Sequence, residues 1–421
     1  MNNKTEKCNF YVSNLICFTL VNILWQTGST LVHPETSLIY LLEEIKASNF
    51  AVASVVPTFL FFSSVPCVFW GSVIHVNRNM RKVLYLSCLW IIVPYLLIYL
   101  IMGYMDGSTG VFIRLLFVLL IVSNVGLSLE AVAYQNYVSY VVPEKKRGTL
   151  WGIVFSFGYV LSLLAYPVMN YMNSHLSTYM YYRTGFLIFF IFALAATHFF
   201  LLVKEPEEQI ILSEEKTDWK RYFSSCKEIL VKDKNFTRYL LIQYLGNFSI
   251  CITSFSLVYI IGLFKTTNDE TIIFTIIYCM VFGIGSFVAG RLGDKKGFYS
   301  VMMISFVIVI IFTTLLIINK SEMMSYILYA FIIFGLGMKE VANINIPIDS
   351  TRNPNKAQHI GIAKTVTAPS LLISLLLGQL VDKGSLSVEN VLWISVGGLI
   401  MGFILNCIFV KEPRTVGSNN R

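Results

Sequence analysis

Apolar residues form continuous runs along the whole chain, separated by short polar segments. Runs of about 20 residues match the roughly 30 Å hydrocarbon core of a bilayer. They lack the two-residue alternation of a membrane barrel, so only helices fit. The pattern predicts an all-α membrane protein with twelve transmembrane helices, each bounded to within a few residues. These spans cover residues 10–32, 49–73, 83–103, 111–136, 149–171, 184–203, 238–263, 271–290, 299–318, 324–347, 359–381 and 389–410.

Composition supports the membrane interpretation and explains the positive charge. The chain is 56% hydrophobic and 13% charged, whereas soluble domains carry about a quarter charged residues. A net charge of +8 would suggest nucleic acid in a soluble protein. With both termini placed in the cytoplasm, 24 of the 32 Lys and Arg residues fall on the inner side and six on the outer side. This asymmetry predicts a plasma-membrane protein with both termini in the cytoplasm. Because membrane topology explains the positive charge, no nucleic-acid partner is predicted.

The longest polar segment divides the spans into two groups of six. We expect an N-terminal bundle at 1–203, a cytoplasmic linker at 204–237 and a C-terminal bundle at 238–421. Within the linker, Trp219, Tyr222 and Phe223 alternate with charged residues at near-helical spacing. This spacing predicts an amphipathic helix lying on the inner membrane surface. A partner-docking role for this helix is the alternative.

Neither a metal site nor a cofactor site is predicted. The eight cysteines show no Cys-x-x-Cys spacing, and the five histidines are dispersed along the chain. There is no nucleotide-binding motif, and no loop could hold an ATPase domain. No paired catalytic residues support an integral membrane enzyme. The sequence therefore predicts a protein that is not an enzyme and has no cofactor.

A segment near the middle of each half is repeated. Residues 126–136 and 335–345 are identical at five of eleven positions, at a shift of 209 residues. At the fifth position the first copy has Glu130 and the second has Lys339. At the same shift, Gly152-Ile153 matches Gly361-Ile362. Two halves with the same orientation predict parallel repeats, related by an axis along the membrane normal.

The first span also has a counterpart in the second half. Residues 20–26 resemble residues 241–247 at a shift of 221, because the connecting loops differ in length. The shift relates Asn22 and Gln26 to Gln243 and Asn247. Each pair is four residues apart and shares one helix face, so it could hydrogen-bond a polar solute. Polar packing between helices is the alternative. Trp25 either lies near the same site or fills the core.

With these repeats, the sequence resembles the major facilitator superfamily. Residues 290–297 read Gly-Arg-Leu-Gly-Asp-Lys-Lys-Gly and are similar to the family's G-x-L-x-D-[RK]-x-G loop between spans 8 and 9. The first-half loop has His75 where the family has Asp. Arg147 and Gly148 resemble the family's Arg-Gly turn before span 5. The resemblance implies two six-helix bundles around a central cavity, lined mainly by spans 1, 4, 7 and 10, and transport by alternating access.

The resemblance also implies a gate in the signature loop. There Asp294 would bind the N-terminus of a neighbouring helix, whose dipole and free N–H groups attract a carboxylate. Basic residues beside it would bridge to the partner helix, although they also serve the positive-inside topology. The predicted gating residues are Gly290, Arg291, Asp294, Lys295, Gly297, Arg147 and Gly148.

Charged residues inside the spans are candidates for the transport site, because a charge facing lipid is costly. Three hypotheses stay open for Glu130 and Lys339: a conformation-dependent ion pair, binding of a polar or zwitterionic solute, and protonation of Glu130. The alternative is that local polar groups, or Glu340 next to Lys339, hold each charge. Tyr134 shares a face with Glu130, and Asn343 shares one with Lys339. Glu340 is also a candidate, but neighbouring residues of a helix point about 100° apart, so Glu340 and Lys339 cannot both face the cavity centre. Lys364 is expected to extend to the cytoplasmic interface.

We therefore predict a secondary active transporter, expected to be monomeric, that moves a small organic solute with protons as the coupling ion. A multidrug exporter of the same fold is the nearest rival. Span 5 lacks the Gly-Pro-x-x-Gly-Gly pattern that such exporters show, which disfavours this rival. An uncoupled facilitator and a non-transporting sensor also remain open. The sequence does not identify the solute or the direction of transport.

Overall fold

A computed structural model describes residues 2–33, 37–75, 79–104, 110–206, 218–265, 268–353 and 356–413. Within this part of the chain, twelve helical segments are long and apolar enough to cross a membrane. Each one overlaps a predicted span, so the prediction of twelve transmembrane helices is confirmed. Residues 207–217 of the predicted linker lie outside the described residues, as do Arg78, Arg414 and Arg421, three of the 24 basic residues predicted on the inner side.

The described residues of the first half contain nine α-helices. They are α1 Asn2–Ser29, α2 Ser37–Glu44, α3 Asn49–Ser64, α4 Cys67–His75, α5 Met80–Tyr104, α6 Gly110–Val141, α7 Arg147–Ser162, α8 Ala165–His175 and α9 Thr178–Phe199. The described residues of the second half contain nine more. They are α10 Trp219–Lys232, α11 Lys234–Gly246, α12 Phe248–Phe264, α13 Asn268–Lys296, α14 Phe298–Ile318, α15 Glu322–Asp349, α16 Ala357–Thr367, α17 Ile373–Asp382 and α18 Val388–Phe409.

Four spans predicted as single helices are interrupted, which corrects the sequence prediction. Span 2 breaks at Pro66, between α3 and α4. Span 5 breaks between α7 and α8, just before Pro167, and span 11 breaks at a 3-10 turn that contains Pro369. Proline lacks the N–H that continues a helix. Span 7 breaks at Asn247, which follows Gly246, a residue of low helix propensity.

The chain forms two compact units that do not follow the sequence halves throughout. The first unit contains residues 1–143 and 157–217 together with residues 360–365 from span 11. The second unit contains residues 218–359 and 366–421 together with residues 144–156 from the start of span 5. Each unit thus includes a short segment from the opposite half of the sequence.

The first unit is built on an apolar core between α1, α5, α6 and α9. Ile92, Phe112, Phe186 and Phe189 are almost fully buried there. Tyr95 contacts Phe189 at 4.5 Å between ring centroids, in an edge-on arrangement. Lipid is as apolar as these side chains, so close packing rather than water exclusion holds such helices together.

In the second unit, α13 and α14 pack along α15. Glycine permits the closest approach: a Cβ at Gly285 would collide with the Phe334 carbonyl, and one at Gly337 with the Phe282 carbonyl. Ser286 Oγ donates to the Gly337 carbonyl at 3.2 Å. Small residues let these membrane helices approach backbone to backbone. This packing holds α15, which carries Lys339, in place.

Helix α10 forms where the linker was predicted to be helical. Asp218 caps it by accepting hydrogen bonds from the backbone N–H groups of Lys220 and Arg221. One face is buried through Tyr222 and Cys226. Trp219 and Phe223 are exposed and stack at 6.1 Å between ring centroids. The exposed aromatic pair suits the predicted position on the inner membrane surface, which stays a prediction.

Candidate functional site

Lys339 lies at the centre of a buried polar network in the second unit. Its side chain is 5% exposed, in the middle of α15. Its Nζ donates to Asn247 Oδ1 at 3.2 Å and to Ser249 Oγ at 2.5 Å. Local polar groups therefore hold this ammonium, as one of the alternatives from the sequence anticipated. Glu340, the next residue, is exposed and acts on Lys339 only through space.

The same network includes the amides predicted from the repeat. Gln243 Nε2 donates to Asn343 Oδ1 at 2.8 Å and lies 3.5 Å from Asn247 Oδ1. Asn247 Nδ2 donates to Ser370 Oγ at 2.7 Å. Asn247 is the residue between α11 and α12, and Ser370 lies in the 3-10 turn before α17. The breaks in spans 7 and 11 therefore meet at this hydrogen bond.

Glu130 lies half-buried on α6 in the first unit. It acts electrostatically on Cys67 of α4, Cys88 of α5 and Tyr134 of its own helix. Lys364 of α16 acts electrostatically on Glu130 and belongs to the same unit. Sequence reasoning assigned Lys364 to the interface and did not connect it with Glu130. Glu130 and Lys364 lie in different spans and at different depths, so nothing in the sequence indicated that they interact.

The other predicted residues of the first unit are surrounded mainly by apolar groups. Trp25 packs edge-on against Phe189 at 5.7 Å between ring centroids, which is the core-filling arrangement. Tyr134 contacts Phe18 at 5.6 Å and Phe200 at 5.4 Å. Asn22 differs, because its Oδ1 is buried and has no hydrogen-bond donor within the described part of the chain.

The repeat-related polar residues therefore have different surroundings in the two units. Gln243 and Asn247 are joined to Lys339, whereas Asn22 Oδ1 is an acceptor with no donor among the described residues. The amide of Asn22 lies directly against Gly158, where a Cβ would overlap it. A buried acceptor without a donor costs about 1–3 kcal/mol. A ligand that donates a hydrogen bond would remove that cost.

Asp294, in the signature loop, binds the start of α7. Its Oδ1 accepts a hydrogen bond from the Gly148 N–H at 2.9 Å, and its Oδ2 accepts one from the Thr149 N–H at 2.7 Å. These N–H groups lie in the first turn of α7, where they have no partner within their own helix. The positive end of the helix dipole favours the carboxylate there. We refer to Asp294, Gly148 and Thr149 as the α7 latch.

The remaining residues of the loop support the close approach at this latch. A Cβ on Gly148 would lie 2.5 Å from the Gly290 carbonyl oxygen, so glycine is required. Gly297 has a φ of +90°, in the region that favours glycine. The Arg291 guanidinium lies 4.3 Å from the Phe287 ring centroid. Lys295 is exposed, in agreement with a topological role.

Two backbone contacts between helices are related by the repeat. In the second unit, a Cβ on Gly152 would lie 2.7 Å from the Ser286 carbonyl oxygen. In the first unit, a Cβ on Gly361 would lie 2.7 Å from the Cys67 carbonyl oxygen. The hydroxyl groups four residues further along also correspond. Ser156 Oγ donates to the Gly283 carbonyl at 2.6 Å, and Thr365 Oγ1 donates to the Val65 carbonyl at 3.0 Å.

These contacts join helices from the two halves of the sequence, because α7 belongs to the first half and α16 to the second. Both use glycine and one small hydroxyl residue at the point of backbone contact. Sequence reasoning matched Gly152 to Gly361, but it did not identify Ser156 and Thr365.

Asp294→Asn is expected to weaken transport while expression stays normal. Asparagine keeps the shape but removes the charge that the two N–H groups and the helix dipole favour. Hydrogen bonds to a charged group contribute about 1.5–3 kcal/mol each, so the latch should be weakened by at least about tenfold in equilibrium constant. Uptake of the transported solute, normalised to protein quantified by immunoblot, measures this effect.

The matched control for Asp294 is Asp382→Asn, at the exposed C-terminal end of α17. It removes the same charge from a helix end that does not attract carboxylates. Normal uptake by Asp294→Asn, or an equal loss in both variants, would count against the latch.

Lys356 lies buried beside the start of span 5, in the second unit. It is 8% exposed, and its ammonium donates to the Thr351 carbonyl oxygen. Burial, and next the Arg147 guanidinium, lower the pKa of Lys356 from its ordinary value of 10.5 to about 8. Asp349 and Glu144 act in the opposite direction, and Lys356 itself acts on His359. The folded protein therefore disfavours the charged form of Lys356.

Raising the pH from about 7 to about 9 is expected to raise the melting temperature through Lys356. Below pH 8 both folded and unfolded chains hold the proton, so the cost of the buried charge is fully present. Between about pH 8 and 10.5 the folded chain releases the proton first, so stability increases with pH. One pH unit above the folded pKa corresponds to about 1.4 kcal/mol at most.

Differential scanning fluorimetry of wild type and Lys356→Met at both pH values tests the role of Lys356. The variant should lose the pH-dependent gain, whereas Lys320→Met, at an exposed lysine between α14 and α15, should keep it. An unchanged gain in Lys356→Met would show that other groups cause the effect.

Among the described residues, no group of three or more His, Cys, Asp or Glu side chains could hold a metal ion. The polar residues assembled in each unit are amides, hydroxyls and single charges. Ionisable residues inside membranes commonly bind polar solutes or carry protons.

Comparison with known structures places this architecture among transporters. The structure is similar to the transporter FucP in its outward conformation, with a TM-score of 0.72, 13% identity, and coverage of 94% of this chain and 98% of that one. It is also similar to the proton:xylose symporter XylE bound to 6-bromo-6-deoxy-D-glucose, with a TM-score of 0.74, 14% identity, and coverage of 96% and 97%. A variant of the Escherichia coli fucose:proton symporter FucP gives a TM-score of 0.72 at 14% identity, with coverage of 96% and 100%. At such identities the likeness establishes the fold and not the solute.

Comparison with curated protein sequences gives no match. The Major Facilitator Superfamily profile, in contrast, matches residues 18–267 and 242–421, which together span nearly the whole chain. The twelve membrane helices, the two-repeat fold and this match agree. The chain is a multi-pass membrane protein that belongs to the Major Facilitator Superfamily of transporters.

Proposed function

We propose that this protein is a secondary active transporter that moves a small organic solute across the plasma membrane by alternating access, coupled to protons. The observation that carries the proposal is the repeat-related pair of small-residue contacts at Gly152 and Gly361. Each joins helices from opposite halves of the sequence through backbone atoms. Contacts of this kind suit surfaces that part and close in every cycle, and the α7 latch adds a charge that favours the closed arrangement.

Proton coupling is proposed from Glu130. A carboxyl group half-buried in a membrane helix is expensive to keep charged, and intramembrane carboxyl groups commonly serve as proton sites. Lys364 acts on it electrostatically from a segment that belongs to the opposite half of the sequence. Movement of that segment would change the affinity of Glu130 for a proton, which would link protonation to conformation. The neighbours XylE and FucP are described as proton symporters.

We further propose that the protein acts as a monomer, with both termini in the cytoplasm and α10 on the inner membrane surface. Twenty-four basic residues on the predicted inner side support this orientation. The exposed Trp219 and Phe223 suit an interfacial helix.

Transport in proteoliposomes tests the proposal. Solutes that raise the melting temperature of the purified protein are taken forward to counterflow, in which internal unlabelled solute drives entry of labelled solute. We expect counterflow without any ion gradient, and accumulation when a pH gradient is imposed. Binding without counterflow would contradict a transport function. Counterflow without pH-driven accumulation would contradict proton coupling and indicate an uncoupled facilitator.

A further inference from the structure

Lys339 is a buried cation whose described hydrogen-bond acceptors are neutral. Asn247 Oδ1 and Ser249 Oγ accept two of its three protons. Glu340 follows it in sequence, but neighbouring residues of a helix point about 100° apart, and Glu340 is exposed. Glu340 acts on Lys339 electrostatically, but the two are not hydrogen-bonded among the described contacts. A buried charge that is not hydrogen-bonded to an opposite charge is costly in a membrane and marks a functional site by default.

The ammonium lies where two membrane helices are interrupted. Asn247 separates α11 from α12, and it donates to Ser370 in the turn that interrupts span 11. Interrupted membrane helices expose polar groups at the depth where transporters bind their solutes. In a continuous helix the backbone N–H and C=O groups are bonded to one another. At these two breaks some of them are released, so polar groups are available close to the Lys339 ammonium.

A second group of the same network, Gln243 Oε1, has no hydrogen-bond partner among the described residues. Gln243 is 5% exposed, and its Oε1 is buried without a hydrogen-bond donor in the described part of the chain. Its Nε2 is committed to Asn343 Oδ1 at 2.8 Å and lies 3.5 Å from Asn247 Oδ1. The network thus has one cation in need of an anion and one acceptor in need of a donor.

We infer that the solute proposed above carries a carboxylate that binds Lys339 and an adjacent hydroxyl or amino group that donates to Gln243 Oε1. This inference rests on the proposed transport function and adds the solute class. A carboxylate would complete the coordination of the ammonium with a charge-assisted hydrogen bond. A neutral sugar or amide offers no charge and would leave the Lys339 ammonium without a hydrogen-bonded anion.

The test is the thermal stability of the full-length purified protein with matched pairs of compounds. The pairs are lactate with lactamide, and gluconate with glucose; alanine is compared with lactate to separate an amino donor from a hydroxyl donor. At least one carboxylate should raise the melting temperature, and its neutral partner should not. An equal shift from the neutral partner, or no shift from any carboxylate, would overturn the inference.

Variants at the site sharpen the test. Lys339→Gln should lower carboxylate affinity by about tenfold or more, Lys339→Arg should restore part of it, and Lys320→Gln should match wild type. Because Lys339→Gln could disturb folding, Gln243→Glu provides a second variant. It places a carboxylate beside Asn247, so it should compete for the ammonium and abolish the carboxylate-selective shift. Carboxylate selectivity that survives in a folded Lys339→Gln or Gln243→Glu protein would overturn the inference.

Counterflow separates this inference from the proposed function. If a neutral solute binds and exchanges across the membrane, transport holds and the carboxylate inference fails. If a carboxylate binds through Lys339 but does not exchange, Lys339 is a carboxylate-binding site and the proposed transport function fails.

Discussion

Glu130→Gln is expected to abolish accumulation of solute driven by a pH gradient while counterflow remains measurable. Glutamine has nearly the same size and keeps the hydrogen-bonding capacity, but it cannot bind and release a proton. If protonation of Glu130 couples the two fluxes, the variant should exchange solute without responding to the gradient. The expected loss is complete in accumulation and at most partial in exchange.

The position of Glu130 gives the physical reason for so large an effect. The carboxyl group is half-buried in α6, and Lys364 acts on it electrostatically. Burial favours the protonated form, and a nearby cation favours the ionised form. A carboxyl group between these two influences changes protonation when the cation moves. No uncharged side chain can substitute for that property.

Accumulation and counterflow are measured in the same proteoliposome preparation, so that protein content is held constant. Glu322→Gln is the control, because it removes an exposed carboxylate from the first turn of α15. It should accumulate solute like wild type. Retained pH-driven accumulation in Glu130→Gln would exclude Glu130 as the proton site and direct attention to Glu340.

Alanine at Gly152 or Gly361 is expected to reduce transport sharply by keeping two helices apart. In each case the added Cβ would lie 2.7 Å from a carbonyl oxygen, closer than side-chain carbons approach backbone atoms. The backbone of Ser286 or Cys67 can yield only if the whole helix shifts. Overpacking of this kind costs about 1–3 kcal/mol, so the closed contact should lose about five- to more than 100-fold in population.

Labelling of Cys67 by N-ethylmaleimide, mapped by mass spectrometry, reports the Gly361 contact. Cys67 is fully buried in wild type, and its carbonyl is the atom that the new methyl group would strike. Gly361→Ala should increase labelling and slow counterflow. Gly262→Ala is the matched control, since it lies within α12 and, among the described residues, no atom outside its own stretch of helix lies within 4 Å of an added Cβ. Wild-type counterflow with Cys67 still protected in Gly361→Ala would contradict this role.

Much of the fold could be predicted from the sequence because the bilayer fixes the length of each apolar run. The breaks at Asn247 and near Leu164 could not be predicted. They depend on polar partners and local packing that come from other helices, such as Ser370 for Asn247. A proline alone does not locate a break either, because α5 continues through Pro94. Hydropathy measures the transfer of a segment into lipid, not the continuity of its hydrogen bonds.

The candidate site was predictable in its members but not in its connections. The repeat pointed to Asn247, Gln243 and Lys339, which the structure joins in one network. It gave no reason to choose Ser249, a common residue type with no charge. Lys364 was assigned to the interface because a long side chain near a helix end usually extends to water. Its effect on Glu130 depends on which helices are neighbours, and sequence distance carries no such information.

Residues 144–156 and 360–365, which each belong to the unit of the opposite half, also constrain the order in which the protein is assembled. The N–H groups at the start of α7 are bound by Asp294, a partner 146 residues later in the chain. The Val68 N–H is bound by Thr365 Oγ1, from a residue 297 positions later. The first unit therefore cannot complete its hydrogen bonding while only the first half of the chain has been synthesised. During insertion, the first six spans therefore remain an incompletely bonded intermediate. Span 11, one of the last to leave the ribosome, completes their hydrogen bonding.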